Sequence, residues 1–307
     1  MRGYISGRFK WNKRIAMISL MMLPGALWLF LLRYLPIFGI AMAFQKYEVY
    51  RPAPTLLNNI LHSKWNNFEN FRFMFATTDA ALMMRNTLAY NAAWIALTLV
   101  ISVSFAIMLS ELTRKYMAKA YQTLMFFPYF ISWVVVSYFV FAFLAPDYGL
   151  LDKTPNWYGD PWGWPVILTI STLWKGVGYS SILYLAAITG VDSQQFEAAS
   201  IDGASKWQQA WHITLPNIRP MIVILFILSV GRIFNADFGL FYNVTKDSGA
   251  LYPVSTVIDT YVFRALMASG NIGMSTAAGV LQNVLGFICI MAANAIARRI
   301  EADYALF

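Results

Sequence analysis

Lys175, Arg232 and Asp237 are charges set inside long apolar runs, and Asn235, Gln282 and Asn283 are amides in the same setting. Polar groups at such depth are costly and tend to be functional. The chemistry these types offer is recognition: donors and acceptors for a hydroxylated or charged ligand. At a rise of about 1.5 Å per residue, Lys175 falls near the middle of the fourth run and Arg232 roughly two thirds of the way along the fifth. Asn235 lies three residues on, on the same face of a helix, with Asp237 nearer the outer surface. Gln282 and Asn283 sit at mid-depth in the sixth run, near Ser275, Gly279 and Gly286. These groups either line a hydrated path or pair with one another and a partner chain to hold a helix bundle together. Catalysis is poorly served. No G-x-S-x-G sequence occurs, Asp237 alone is no acid–base set, and His62 and His212 stand far apart without a zinc-type spacing. The single Cys289 excludes an internal disulfide.

The elements that must position these residues are membrane helices. The chain of 307 residues is 59% hydrophobic and only 12% charged, against about 45–50% and about 25% in a soluble domain. The composition predicts an all-α membrane protein with six transmembrane helices. The spans fall near 15–44, 87–110, 121–145, 164–188, 217–241 and 273–297, within one domain over 1–307 that starts with a basic lead, 1–14. Pro24 and Pro36 are expected to kink the first span. With the N-terminus inside, the inner segments carry twelve Lys and Arg and the longer outer segments eight. The positive-inside rule then places both termini in the cytoplasm. The net charge of +8 fits basic inner loops and calls for no nucleic acid. In the outer loop, Trp157, Tyr158, Trp162 and Trp164 serve as interfacial anchors or as a surface for stacking on sugar rings.

One inner segment, 192–216, is not apolar. Asp192 and Gln195 form a capping-box pattern ahead of Glu197-Ala198-Ala199, a helix-forming turn. Asp202-Gly203 ends that helix, and Ser205 with Gln208 starts another, which Pro216 closes. A mere connection could be much shorter. Phe196, Ile201, Trp207 and Trp211 make this one partly apolar, which fits either a partner or the lipid interface.

The stretch EAASIDGASKWQQAWHITLP resembles the coupling loop of permease subunits in ATP-binding-cassette importers. Glu197, Ala198, Ala199, Gly203, Ile213, Leu215 and Pro216 stand at that signature's positions, with Asp202 beside the glycine. FFPYFISWVVVS, LYPVSTVIDTYVFRALM and the ending DYALF resemble the carbohydrate branch, of the polysaccharide or complex-oligosaccharide type. The resemblance covers nearly the whole chain and implies a type I importer permease fold in a bacterial cytoplasmic (inner) membrane. It implies a helix at Glu197–Ile201 that docks in a cleft of an ATPase subunit, with Glu197 holding the loop by a hydrogen bond or an ion pair. It implies as partners a second homologous permease, an ATPase dimer and an extracytoplasmic solute-binding protein, with oligosaccharide as cargo.

No G-x-x-x-x-G-K-[ST] occurs, so ATP and Mg would be bound by the partner ATPase, and this chain is expected to be non-catalytic and without a cofactor of its own. Gly176 and Gly178 in KGVGYS are expected to mark close helix packing. Arg232 and Lys175 invite an acidic oligosaccharide, with neutral ones left open. An ion-gradient-driven secondary transporter is the alternative, but it predicts an internal repeat that the sequence lacks.

Overall fold

The computed structural model describes residues 13–77, 79–146, 149–150, 156–301 and 306; the basic lead ahead of residue 13 lies outside them. The chain divides into two compact units, Met1–Phe71 with Asn271–Ala277, and Arg72–Gly270 with Ala278–Phe307.

The first unit begins with α1 (Lys13–Leu29), which keeps Pro24 inside it and buries no residue. A π-turn, Phe30–Tyr34, and a 3-10 helix, Leu35–Phe44, continue it. Strand β1 (Gln45–Lys46) then pairs antiparallel with β2 (Lys64–Trp65), on either side of α2 (Leu56–His62). Asn70 ties this region together, donating Nδ2 to the carbonyls of Ala43 and Gln45 at 3.0 and 2.9 Å.

The second unit contains α3 (Phe73–Ala76), α4 (Ala80–Ser110), α5 (Lys115–Phe126), α6 (Trp133–Leu144) and α7 (Trp164–Thr189). There follow α8 (Ser193–Ile201), α9 (Lys206–Gln209), α10 (Leu215–Val230), α11 (Tyr252–Ser255), α12 (Ile258–Ser269) and most of α13 (Ile272–Ile300). Helices α4 and α7 form its spine. One cluster joins Trp94, Val136, Trp164, Leu168 and Phe241, and another joins Val103, Ala106, Tyr184, Ile188 and Ile218.

Five described helical stretches are long and apolar enough to cross a membrane: Lys13–Phe44, Ala80–Ser110, Trp164–Thr189, Lys206–Val230 and Ile272–Ile300. The bent pair Tyr116–Phe130 and Trp133–Leu144 makes a sixth if it counts as one span. The expected first, second, fourth and sixth spans match with shifted ends, the second starting seven residues early, at Ala80.

Two spans differ in kind. The expected continuous helix over 121–145 is broken, with a bend of 98°. Pro128 lacks an amide proton and sits in a 3-10 turn, Phe127–Phe130. Ser132 then caps α6, its side chain accepting from the Val135 amide. The expected span 217–241 instead runs from Lys206 to Val230. Pro216 does not close a loop helix. A π-turn, Ala210–Thr214, carries α9 into α10, and Pro216 falls in the first turn of α10, where its missing donor does little harm.

The outer-loop aromatics divide. Trp164 is fully buried, donating Nε1 to the Trp157 carbonyl at 2.6 Å. Tyr158 packs on the core and donates to the Val244 carbonyl, and burial pushes its phenol up to about 12. Trp162 alone of the four is open, at 88% exposure.

Candidate functional site

The polar loop is a helix, a glycine reversal and a second helix. Asp192 caps α8 by accepting from the Gln194 amide. Gln195 does not complete that capping box; its Oε1 accepts from Asn217 Nδ2 at 3.0 Å instead. At the other end, the Gly203 amide reaches the Ser200 carbonyl and the Ala204 amide reaches the Ala199 carbonyl, at 3.2 and 2.9 Å. That pair of bonds is a Schellman stop, and Gly203 supplies its left-handed residue with φ +76°. Ser205 and Gln208 form the expected reciprocal capping box for α9.

Gln209 is the residue that sequence reasoning missed. It is 2% exposed and donates Nε2 to Ser200 Oγ at 2.9 Å and to the Ala204 carbonyl at 3.1 Å. It therefore bolts the start of the α10 stretch to α8 across the glycine. A glutamine four residues after an N-cap looks like any helix-surface residue, so the sequence gives no signal for this role. Lys206 pairs with Glu111, just past the end of α4, at 2.9 Å. Glu197 is exposed, and among the described residues it makes neither of the two expected bonds. Ala198 and Ala199 lie within α8, and Leu215 and Pro216 lie in the first turn of α10. No residue of α8 is buried, and Ile201 and Trp207 stand 86% and 71% exposed. The loop is thus a hydrogen-bonded helix–glycine–helix body with an apolar tip.

The deep polar residues gather around the end of α10, and not as a helix would arrange them. The helix stops at Val230, so Arg232, Asn235 and Asp237 lie in an irregular segment and the helical-face argument for Arg232 and Asn235 fails. Two glycines allow close packing at the stop. A Cβ on Gly231 would meet Ile290 at 2.2 Å, and one on Gly286 would meet the Gly231 carbonyl at 2.3 Å. Backbone released in a membrane must be satisfied by other groups. Asn91 on α4 donates to the carbonyls of Ile233 and Asn235 at 2.8 and 3.1 Å. Gln282 on α13 donates to the Phe234 carbonyl at 2.8 Å and to Asp259 at 3.1 Å. Asp259, at the start of α12, accepts from the Ala236 amide at 2.8 Å, and burial raises its pKa. Asp237 caps the next turn, accepting from the Gly239 and Leu240 amides, and takes Trp133 Nε1 at 2.5 Å.

The expected path residues therefore separate. Gln282 is 6% exposed and serves the backbone and Asp259, while Asn283 is exposed and, among the described residues, bonded within its own helix. Lys175 does not face open space alone. Its Nζ donates to the Tyr129 carbonyl at 2.7 Å and lies 5.4–5.5 Å from the rings of Trp133 and Tyr129, so it caps the break between α5 and α6. Of the two glycines expected to mark close packing, Gly178 does, with a Cβ position 1.7 Å from the Met125 carbonyl, and Gly176 does not. Arg232 is exposed and, with Asn91, Trp94, Thr98, Tyr179 and Ser180, lines a cavity of about 630 Å³. Among the described residues no three His, Cys, Asp or Glu side chains gather as metal ligands.

Residues 98–302 match a family described as binding-protein-dependent transport system inner membrane component. The chain is similar to the polygalacturonan/rhamnogalacturonan transport system permease protein YteP of Bacillus subtilis (strain 168). The two are 35% identical over 291 residues, covering 92% of this chain and 88% of that one. It is also similar to protein LplB of the same organism, 32% identical over 300 residues, covering 95% and 91%. Among solved structures it is similar to a chain of a bacterial ABC transporter involved in the import of the acidic polysaccharide alginate. The TM-score is 0.81 at 29% identity, covering 94% of this chain and 97% of that one. A chain of a bacterial alginate ABC transporter in complex with alginate pentasaccharide-bound periplasmic protein matches with the same score and identity.

Proposed function

Because the chain belongs to the family of binding-protein-dependent transport system inner membrane components, we propose that it forms half the pore of an importer for acidic oligosaccharides. It is the permease of an ATP-driven importer, a multi-pass membrane protein and not an ion-gradient carrier. YteP belongs by name to a polygalacturonan/rhamnogalacturonan transport system and the similar solved structure to an importer of alginate, and the uronic acids in such glycans suggest a charged cargo here. The partners are a second homologous permease, an ATPase dimer that binds ATP and Mg, and an extracytoplasmic solute-binding protein. The chain itself works as one non-catalytic permease domain without a cofactor, and both termini lie in the cytoplasm.

The observation that carries the reading is the hydrogen bonding that ties the loop from Asp192 to Thr214 together. A docked helix moves the membrane helices only if the connection does not absorb the motion. Here α8 is bonded to α9 through Gln209, and α9 runs through a π-turn into α10 without a slack joint. Ile201 at the tip offers an apolar knob to an ATPase cleft. Closure of the ATPase dimer on ATP would then swing α10 as a lever. Lys175, Arg232, Asn235, Asp237, Gln282 and Asn283 form or support the route that opens, in the roles their contacts give them.

The test is reconstitution of the whole complex in proteoliposomes with binding protein outside and ATP inside. Uptake of a labelled galacturonate oligomer is expected to need ATP and to ignore ionophores. Uptake driven by an ion gradient without ATP would overturn the proposal.

A further inference from the structure

We propose that Arg232 is a carboxylate-recognising group in the cavity beside the end of α10, selecting cargo that carries uronate-type acids; this rests on the importer reading above. The turn that carries Arg232 is held firmly. Its carbonyls at Ile233, Phe234 and Asn235 are taken by Asn91 and Gln282, and the Ala236 amide is taken by Asp259. Both nearby acids are also occupied. Asp259 accepts from Ala236 and Gln282, and Asp237 from Trp133, Gly239 and Leu240. Neither forms an ion pair with Arg232. Among the described residues the guanidinium has no hydrogen-bond or ion-pair partner, although it borders a cavity of about 630 Å³.

The guanidinium is exposed to that cavity and, among the described residues, unpaired, so an anionic group on a cargo can reach it. The planar fork of donors fits a carboxylate in bidentate fashion, which a lysine does not. The same cavity wall offers a sugar what its other atoms need. Tyr179, Ser180 and Thr98 line it with hydroxyl-bearing side chains. An acidic sugar thus meets one charge and several hydroxyl partners in a single space.

The experiment measures equilibrium binding to the solubilised, nucleotide-free complex, without binding protein. The probes are a galacturonate oligomer and the same oligomer with its carboxyls methyl-esterified. Wild type is expected to bind the acid at least about tenfold more tightly, the worth of one hydrogen bond to a charged group. Arg232→Gln should erase that preference while complex yield and ester binding stay as they were. Arg232→Lys should restore only part of it. Equal binding of acid and ester by wild type, or no binding of either, would overturn the inference. So would an Arg232→Gln complex that assembles poorly, because the residue would then be pairing with the second permease. Adding phosphatidylglycerol distinguishes a lipid headgroup as the anion: displacement by the lipid but not by the sugar acid also defeats the proposal. Failure of wild type to import any oligosaccharide in ATP-loaded proteoliposomes would count against the importer reading instead.

Discussion

The two ends of α10 are both interruptions of helix, yet they are held by opposite means. At the N-terminal end the fastening is local. Gln209 reaches Ser200 nine residues back and Ala204 five residues back, and the Schellman bonds span three and five residues. At the C-terminal end the fastening is remote. Asn91 reaches Ile233 across 142 residues and Asn235 across 144, Gln282 reaches Phe234 across 48, and Asp259 meets Ala236 across 23. A locally bonded body keeps its shape while its surroundings move, as a transmitting part must. A remotely bonded turn keeps its shape only while α4, α12 and α13 stay packed together, so it registers the arrangement of the bundle. One end is suited to receive a push and the other to change what it presents when helices shift.

The sharpest way to break this contrast is Asn91→Leu. It leaves the part-buried Ile233 carbonyl unsatisfied, at about 1–3 kcal/mol, and should lower the melting temperature of the purified complex and cut uptake together. An unchanged melting temperature would mean that the turn does not depend on α4. Gly203→Val should act on the other end alone. No atom lies within 4 Å of the added Cβ, so the penalty is the backbone at φ +76°, about 1–3 kcal/mol for a branched residue. ATP hydrolysis should continue while uptake falls, and Gly203→Asn, which tolerates that φ, should keep most of the uptake. Loss of complex yield in both variants would show that the glycine is needed for assembly and not for coupling.

Gln209→Ala removes the bolt between α8 and α9 and should cost about 1–2 kcal/mol of local stability. The ratio of sugar imported to ATP consumed should drop with the complex intact. A ratio equal to wild type would mean that the capping box and glycine stop suffice without it. The smallest effect is expected from Lys206→Ala. Its pair with Glu111 is partly exposed, on the lysine side above all, and surface pairs contribute about 1 kcal/mol or less. A marked uptake defect there would show that the loop is steered through the α4 end, and that the N-terminal fastening is less local than its geometry implies.

Much of the loop between α7 and α10 was legible because its instructions lie within a few residues of one another. Asp192, Asp202-Gly203 and the Ser205–Gln208 pair are each a local stop or start, and the helices begin and end where they stand. The bend near Ile131 was also written locally, in Pro128 and Ser132, but the apolar residues on both sides disguise it as one continuous run. The end of α10 is different. Ile233, Phe234, Ala236 and Phe238 prolong the apolar pattern past Val230, so hydropathy extends the helix to 241, and Gly231 alone does not forbid that.

The sequence by itself determined the membrane class, the approximate spans and the helix–glycine–helix loop, because apolar content and capping act over one helical turn or one span. Tertiary structure alone decided that α10 stops at Val230, that Gln282 and Lys175 hold backbone carbonyls, and that Arg232 is left over. Those outcomes depend on Gly286 admitting the Gly231 carbonyl and on amides from α4 and α13 arriving at the same few atoms. A helix can end among apolar neighbours only where other groups replace its hydrogen bonds. Their arrival is a fact of packing, which no short stretch of sequence records.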